Sequence, residues 1–266
     1  MPFAPSGDVR LYYEEAGSGQ PLLLISGQGG DHTTWDTIRG DFAAHHRAIT
    51  FDHRGTGQSD KPREPAYTVQ GFARDAVAIL DHLGIERAHA YGISMGGRIC
   101  QWLGIEHPAR IGALVLGCTT PGNNHGVRRP PEVDARMADR PTDLDELIAF
   151  MAEQMVSPAY IAVHPEYVDT WRRRAANPIP TYAQKLHYMA SEGHDSWDRL
   201  PEITAPTLVI HGTDDFINPS ANAALLAERI PGAELYMVNG GRHGYFIEFR
   251  EECTPVVLDF LARHPI

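Results

Sequence analysis

The chain has 266 residues, 42% of them hydrophobic and 21% charged, which is ordinary for a globular protein. At this length a chain buries about three-quarters of its unfolded surface, so a full core forms without disulfides or metals. The net charge is −11, from 23 basic and 34 acidic residues, which disfavours nucleic acid and anionic membranes as partners.

Cysteine use and the amino-terminal sequence indicate a cellular compartment. The three cysteines, Cys100, Cys118 and Cys253, form no Cys-x-x-Cys pair, which fits small buried side chains in a reducing environment. The first ten residues, MPFAPSGDVR, contain no apolar stretch of signal-peptide length. No run approaches the roughly 20 apolar residues of a membrane span. We therefore expect a cytoplasmic protein.

Short apolar runs alternate with helical patterns along most of the chain. The predicted strands are 8–15, 22–25, 48–51, 88–91, 111–117, 207–211 and 233–238. The predicted helices are 69–83, 95–107, 220–230 and 246–263. The first strand is expected at a sheet edge, whereas the continuously apolar LLLI at 22–25 is typical of a strand buried on both faces. The alternation predicts an α/β fold with a mostly parallel, doubly wound sheet.

The segment 122–200 differs from the sequence on either side of it. It opens with PGNNHG and RRPPEVD, which are rich in turn residues and proline. It continues with helical patterns at 144–155 and 182–191 and contains no strand run. We predict a helical lid of residues 122–200, inserted into a main domain formed by 1–121 and 201–266.

A lone serine stands between two glycines in Gly92-Ile-Ser-Met-Gly96, where a predicted strand meets a predicted helix. Small flanking residues let the backbone turn sharply, so that Ser94 projects above the sheet at a strained position. The following helix points its free N–H groups and positive dipole end at the same spot. The alternative is a plain turn with Ser94 as the helix N-cap. The strand-turn-helix context favours a nucleophile.

A serine nucleophile needs a base and an acid that orients the base. In this architecture the three follow the chain order Ser, Asp or Glu, His. HGTDDFINP supplies Asp214 and Asp215 after one late strand, and NGGRHGYF supplies His243 after the last strand. Loops after parallel strands meet at one edge of the sheet, so these residues are expected to converge. His211, which ends a strand run, is expected to be packed, and no histidine spacing indicates a metal site.

Five segments together resemble the α/β-hydrolase family over nearly the whole chain. They are SGQGG (26–30), DHRGTGQSD (52–60), GISMGG (92–97), HGTDDFINP (211–219) and GGRHGYF (240–246). The resemblance implies an acid three residues after a glycine and four before a proline, which favours Asp215 over Asp214. It disfavours the family's dehalogenases and epoxide hydrolases, because these carry an aspartate where this chain has Ser94.

The resemblance also implies an oxyanion hole. Two backbone N–H groups receive the oxyanion, those of Met95 and Gln28. Many relatives carry His-Gly where this chain has Ser26-Gly27. Composition separately predicts an apolar pocket near Gly27, Met151, Trp171 and Tyr188. For any single lid residue, a place in the lid's own core is the favoured interpretation. Arg172-Arg173-Arg174 could bind a substrate carboxylate, but a solvated helix face is the favoured interpretation.

These residues predict a serine hydrolase that cleaves a carboxylic ester or lactone of a small to medium, largely apolar substrate. The expected partner is that small-molecule substrate alone, with no nucleic acid, membrane, cofactor or metal, and a homodimer stays open. The nearest alternative is a hydrolase of C–C bonds in ring-fission products, or a perhydrolase, with the same triad. A non-catalytic binding protein on the same scaffold is the other alternative.

Overall fold

The computed structural model describes residues 2–266, which form one eight-stranded sheet with helices on both faces. The strands are β1 (Phe3–Ser6), β2 (Val9–Ala16), β3 (Pro21–Ile25), β4 (Arg47–Phe51), β5 (Ala88–Ile93), β6 (Ile111–Gly117), β7 (Thr207–Gly212) and β8 (Glu234–Val238). Their order across the sheet is β1-β2-β4-β3-β5-β6-β7-β8. The β1–β2 and β2–β4 pairs are antiparallel and every other pair is parallel. The predicted mostly parallel α/β sheet is confirmed.

One strand prediction was wrong in its position. The run 8–15 was expected at the edge, but β2 lies inside the sheet, between β1 and β4. The edge is β1, a four-residue strand of sequence Phe-Ala-Pro-Ser. A four-residue segment is too short to show an alternation of apolar and polar residues. Its proline would not be expected in an interior strand but is tolerated at a sheet edge.

Eleven α-helices are found in residues 2–266. They are α1 (Arg39–Ala43), α2 (Val69–His82), α3 (Met95–Glu106), α4 (Pro131–Ala138), α5 (Leu144–Met155), α6 (Pro158–Val163), α7 (Glu166–Ala176), α8 (Thr181–Glu192), α9 (Ala221–Arg229), α10 (Tyr245–Glu248) and α11 (Arg250–Ala262). The predicted helix at 246–263 is divided in two, because Phe249 leaves helical geometry at φ −107° and ψ 34°. None of these helices combines the length and apolar character of a membrane span.

The central strands β3 to β7 are buried on both faces, which explains their mostly apolar sequences. In β3 the side chains of Leu23 and Ile25 join one buried cluster, with α2, α3 and α9. Those of Leu22 and Leu24 join the other, with α1, α10 and α11. Alternate side chains of a strand point to opposite faces, so both sets must be apolar when both faces are covered.

The segment between β6 and β7 contains five helices, α4 to α8, and we call residues 122–200 the cap. An isolated bridge between Gly122 and Asp195 closes its base. Two of its helices, α4 and α6, begin with the prolines Pro131 and Pro158. Proline suits the first helical position because the N–H it lacks has no partner there. The RRPPEVD stretch, interpreted as turn-rich in the sequence, therefore contains a helix start.

The loop after β3 is tied to the core through His32. The His32 Nδ1 atom lies 2.6 Å from Oδ1 of buried Asp52, and its Nε2 lies 3.5 Å from Oε1 of Glu14. The His32 backbone N–H donates to the same Asp52 oxygen at 2.8 Å. Burial on its own would lower the pKa of His32, but the two carboxylates raise it above its ordinary value.

This arrangement predicts a pH-dependent contribution to stability. Because the pKa of His32 is raised in the folded state, its contribution is fully present below about pH 6.5, the unfolded value. It is lost as the pH rises through the folded pKa. We expect His32→Gln to lower the free energy of unfolding by about 1–2 kcal/mol at pH 6, and by less at pH 9.

Urea denaturation of wild type and His32→Gln at both pH values measures this difference. The matched control is His45→Gln, because the His45 side chain is exposed. If His32→Gln lowered the free energy of unfolding by the same amount at pH 6 and pH 9, the charged state of His32 would be contradicted.

Candidate active site

Ser94 occupies a sharp turn between β5 and α3. Its backbone has φ 56° and ψ −118°, a conformation that is strained for any residue with a side chain. The turn is possible because Gly92 and Gly96 approach other backbone closely. A Cβ on Gly92 would overlap the Gly96 carbonyl oxygen, and a Cβ on Gly96 would overlap the Ile25 carbonyl oxygen. The Ser94 side chain makes no capping hydrogen bond to α3, so the N-cap interpretation does not describe it.

Asp215 and His243 meet in a buried hydrogen bond beyond the ends of β7 and β8. His243 Nδ1 lies 2.8 Å from Asp215 Oδ2. The other carboxylate oxygen, Oδ1, accepts from the backbone N–H groups of Ile217 and Asn218 at 2.9 Å each. Asp214 is exposed, and its carboxylate accepts from the Thr213 hydroxyl instead. The geometry therefore pairs His243 with Asp215.

The surroundings of Asp215 keep its carboxylate ionised. Its burial opposes the charge and on its own would raise the pKa, but the facing rings of His243 and His211 outweigh burial. The pKa of Asp215 consequently lies well below its ordinary range. An ionised carboxylate at this distance can orient the His243 ring and stabilise its protonated form.

His211 is a member of this network that the sequence analysis did not assign. It is fully buried as expected, yet its Nε2 lies 3.1 Å from Asp215 Oδ2 and 2.8 Å from the Asn218 carbonyl oxygen. The sequence offered one signal, its place at the end of β7 four residues before Asp215.

Cys118 lies between Ser94 and the His243–Asp215 pair. It follows β6, the strand between β5 and β7, and has a positive φ of 40°. Its thiol lies within 4.8 Å of ligand atoms of both Asp215 and His243. The carbonyl oxygen of the preceding residue, Gly117, accepts from the Ser94 N–H at 2.8 Å. Burial raises the pKa of the Cys118 thiol well above its ordinary value, so the thiol stays protonated.

The Ser94 hydroxyl makes no hydrogen bond to any of residues 2–266, His243 included. The two residues nevertheless lie at the same edge of the sheet, on either side of Cys118. Catalytic hydrogen bonds are often long in unliganded enzymes and tighten in the substrate complex. The site therefore contains a strained serine and a preassembled His–Asp pair.

The loop after β3 lies directly against Ser94. A Cβ on Gly27 would be 3.2 Å from the Ser94 Cβ, so only glycine fits comfortably. The Gly27 carbonyl oxygen accepts from the Gly30 N–H at 3.0 Å and closes a tight turn around exposed Gln28. Among residues 2–266, the N–H groups of Gln28 and Met95 have no hydrogen-bond acceptor. Two free donors beside a serine are what an oxyanion requires.

The loop is anchored by a histidine that the sequence analysis passed over. His53 is fully buried, and its Nε2 lies 3.0 Å from the Ser26 carbonyl oxygen. Because a carbonyl only accepts, this nitrogen carries the proton. The loop is therefore tied to the core through the Ser26 carbonyl, a contact that does not depend on the side chain at this position.

The cap residues predicted to line a pocket have different environments. Met151 of α5 and Trp171 of α7 are partly buried, while Tyr188 of α8 is 52% exposed. Arg172 pairs with Asp169 and Asp145 on the surface, in line with a solvated helix face.

One end of the cap is hydrogen-bonded to the loop that carries His243. The Gly244 N–H donates to the Met155 carbonyl oxygen at 2.6 Å, and Arg242 donates to the carbonyl oxygens of Glu153 and Val156. Glu153 and Met155 belong to the last turn of α5 and Val156 is its C-cap, and a positive charge is favourable at this end of a helix. The cap and the His243 loop are therefore built as one unit at this point.

The same junction contains a carboxylate that holds the start of α6. Glu248 accepts from the Ser157 backbone N–H at 2.8 Å and from the Ser157 hydroxyl. We expect Glu248→Ala to lower the free energy of unfolding by about 1–2 kcal/mol, because the Ser157 N–H loses its acceptor. We also expect a several-fold fall in kcat through loosening of the His243 loop.

Urea denaturation and steady-state kinetics measure both effects. Glu248→Gln, which keeps an acceptor oxygen, should recover most of the loss. Glu251→Ala is the matched control, because Glu251 is exposed one turn later and makes no side-chain hydrogen bond within residues 2–266. Equal behaviour of Glu248→Ala and Glu251→Ala would exclude a role for this junction.

Comparisons with known proteins find a matching family and similar chains. A model of the family described as alpha/beta hydrolase fold matches residues 20–249. The RutD protein of Azorhizobium caulinodans, which carries the name of a carbamate hydrolase, is 32% identical over 254 residues, covering 92% of each chain.

Two solved structures are similar over almost the whole chain. Est816, described as an N-acyl homoserine lactone degrading enzyme, has a TM-score of 0.82 and 31% identity, and the alignment covers 98% of this chain and 100% of that one. The enol-lactonase from Burkholderia xenovorans LB400 has a TM-score of 0.82, 27% identity and the same coverage.

Proposed function

This chain belongs to the α/β-hydrolase family and is a hydrolase of that fold. On this basis we propose that it cleaves a carboxylic ester or lactone through an acyl-enzyme on Ser94. One observation carries the proposal. The strained Ser94 stands beside Gly27 and two free N–H groups, and the His243–Asp215 pair lies at the same edge of the sheet.

The proposed reaction begins when the Ser94 hydroxyl oxygen attacks the acyl carbon. His243 Nε2 accepts the hydroxyl proton, and a tetrahedral intermediate forms. The bond from the acyl carbon to the leaving oxygen then breaks, and His243 returns the proton to that oxygen. In a lactone the leaving hydroxyl stays attached to the acyl group. Water, deprotonated by His243, then attacks the acyl-enzyme. The bond to the Ser94 oxygen breaks, His243 returns the proton to that oxygen, and the acid is released.

Fixed groups of the site stabilise the charges that this reaction develops. The N–H groups of Gln28 and Met95 face the negative oxygen of the tetrahedral intermediate. Asp215, ionised and held by backbone N–H groups, faces the positive charge on His243. Because Asp215 is held by the protein before substrate arrives, stabilising the charge on His243 requires little reorganisation.

The substrate class is supported by the cap and by the similar structures. Met151 and Trp171 offer apolar surface on the cap, which suits a small to medium, largely apolar acyl or alcohol group. Est816 and the enol-lactonase are both described by lactone chemistry.

Turnover of a substrate panel tests the proposal. The panel holds p-nitrophenyl esters from acetate to longer acyl chains, simple lactones, an aryl carbamate and a vinylogous diketone acid. We expect ester or lactone turnover, with a chain-length preference that gives the size of the pocket. Turnover of the diketone acid alone would indicate C–C bond hydrolysis. Turnover of no member would contradict the proposal and favour a binding protein.

A further inference from the structure

His211 is not only packed in the core: it also makes a hydrogen bond to the carboxylate of the His243–Asp215 pair. It is the penultimate residue of β7, is fully buried, and directs Nε2 toward two oxygens. These are Asp215 Oδ2 at 3.1 Å and the Asn218 carbonyl oxygen at 2.8 Å. Asp215 Oδ2 is the oxygen that also accepts from His243. Two histidines therefore share one carboxylate oxygen.

The protonation of His211 follows from these neighbours. A carbonyl oxygen and an ionised carboxylate are acceptors only, so Nε2 must carry a proton. The opposite nitrogen, Nδ1, is buried and has no hydrogen-bond partner among residues 2–266. A proton there would leave a buried N–H without an acceptor, which is costly. His211 is thus a neutral imidazole that donates from Nε2.

We propose that His211 is a positioning residue of the active site, which fixes Asp215 Oδ2 toward His243 and moderates the basicity of His243 by sharing that oxygen. The part of this inference that concerns turnover rests on the proposed function, whereas the part that concerns the His243–Asp215 pair does not.

The effect of His211 acts through charge. A donor on Asp215 Oδ2 draws off part of the negative charge that stabilises protonated His243. Removing the donor leaves more of that charge facing His243, so the pKa of His243 should rise. The groups close to the pair are His211 and the protonated Cys118 thiol, and both are uncharged. The charged residues next to the pair in sequence are directed away from it, because Arg242 donates to carbonyl oxygens of the cap and Asp214 is exposed.

The orienting effect acts on geometry. Asp215 Oδ1 is held by two backbone N–H groups, and Oδ2 is held by the two histidines. Without His211, the only hydrogen bond to Oδ2 from residues 2–266 comes from His243, the ring whose orientation Oδ2 is meant to fix, so the carboxylate can rotate more freely about Oδ1. A hydrogen bond to a charged group contributes enough free energy that its loss should be measurable as a fall in kcat.

The test uses two variants of His211 in the full chain. His211→Phe keeps a flat ring and removes the donor, while His211→Gln keeps an N–H near the Nε2 position. His89→Phe is the matched control, because His89 is a fully buried strand histidine in β5 that bonds to Gln20 instead. Should phenylalanine prevent folding, His211→Met, a flexible apolar side chain without an N–H, takes its place.

The primary measurement is an NMR titration of the His243 ring, assigned by comparison with His243→Gln. We expect a raised His243 pKa in the variant without a donor, and a wild-type value in His211→Gln and His89→Phe. With a substrate from the panel, the acid limb of the pH profile should move to higher pH, and kcat should fall about tenfold with KM unchanged.

Two results would overturn the inference. One is an unchanged His243 pKa in a folded variant that lacks the donor. The other is a shift in His211→Gln as large as in His211→Phe, since loss of packing would then be the cause. The NMR measurement needs no substrate. If the proposed function is wrong, no panel substrate is turned over, while the His243 pKa still rises in the variant that lacks the donor.

Discussion

Ser94→Ala is expected to lower kcat/KM for a p-nitrophenyl ester by about 10³-fold or more. The hydroxyl oxygen is the only atom removed, and no alternative nucleophile is available in the site. The nearest candidate, the Cys118 thiol, is fully buried and stays protonated. Steady-state kinetics on the purified variant measure the loss.

The structure also indicates that the variant will fold. The Ser94 hydroxyl makes no hydrogen bond within residues 2–266, so its removal breaks none, and the strained backbone is held by Gly117 and Thr119. Circular dichroism and a thermal melt should match wild type. Ser18→Ala, a change in an exposed turn, is the control and should keep full activity. Full activity of a folded Ser94→Ala would refute the assignment of the nucleophile.

Asp215→Asn is expected to lower kcat by about 10⁴-fold. Every group around this carboxylate is a donor: two backbone N–H groups on Oδ1, and two histidine rings on Oδ2. An asparagine must place its NH₂ against one of these pairs. If the NH₂ faces His243, Nδ1 has to accept, and the ring proton moves to Nε2. His243 then has no lone pair for the Ser94 proton.

The neighbouring carboxylate gives a matched control. Asp214→Asn changes an exposed side chain that bonds only to Thr213, and it should keep activity close to that of wild type. Kinetics of the two variants at several pH values measure the difference. A severe loss in Asp214→Asn with little loss in Asp215→Asn would reverse the assignment of the acid.

The centre of the sheet could be predicted because strands β3 to β7 are buried on both faces. Runs such as Leu22–Ile25 must be apolar at every position, and no polar interruption obscures them. The elements that were missed lack this signal. The edge strand Phe3–Ser6 is short and contains a proline. Helix α7 has only Tyr167 buried, and its sequence, EYVDTWRRRAA, is dominated by charged and polar residues.

The reactive residues were predictable for a different reason. Ser94, Asp215 and His243 each follow a strand, and strand ends are readable from hydrophobic runs. The glycines on either side of Ser94 are required because close backbone contacts exclude a Cβ there. This requirement makes the turn recognisable from the sequence.

The supporting residues were not predictable in the same way. His211 and His53 act through bonds to Asp215 and Ser26, contacts that arise only when separate loops meet. Cys118 follows a strand without a motif of its own. Such residues are identified by distance in the folded protein, because nothing in their local sequence marks them.

The central claim is that Ser94 forms a covalent intermediate, and mass spectrometry after treatment with a fluorophosphonate tests it most directly. We predict a single adduct on the peptide that contains Ser94, formed in wild type, slowed strongly in His243→Gln and absent from Ser94→Ala. No adduct on wild type, or an adduct that persists in Ser94→Ala, would contradict the claim.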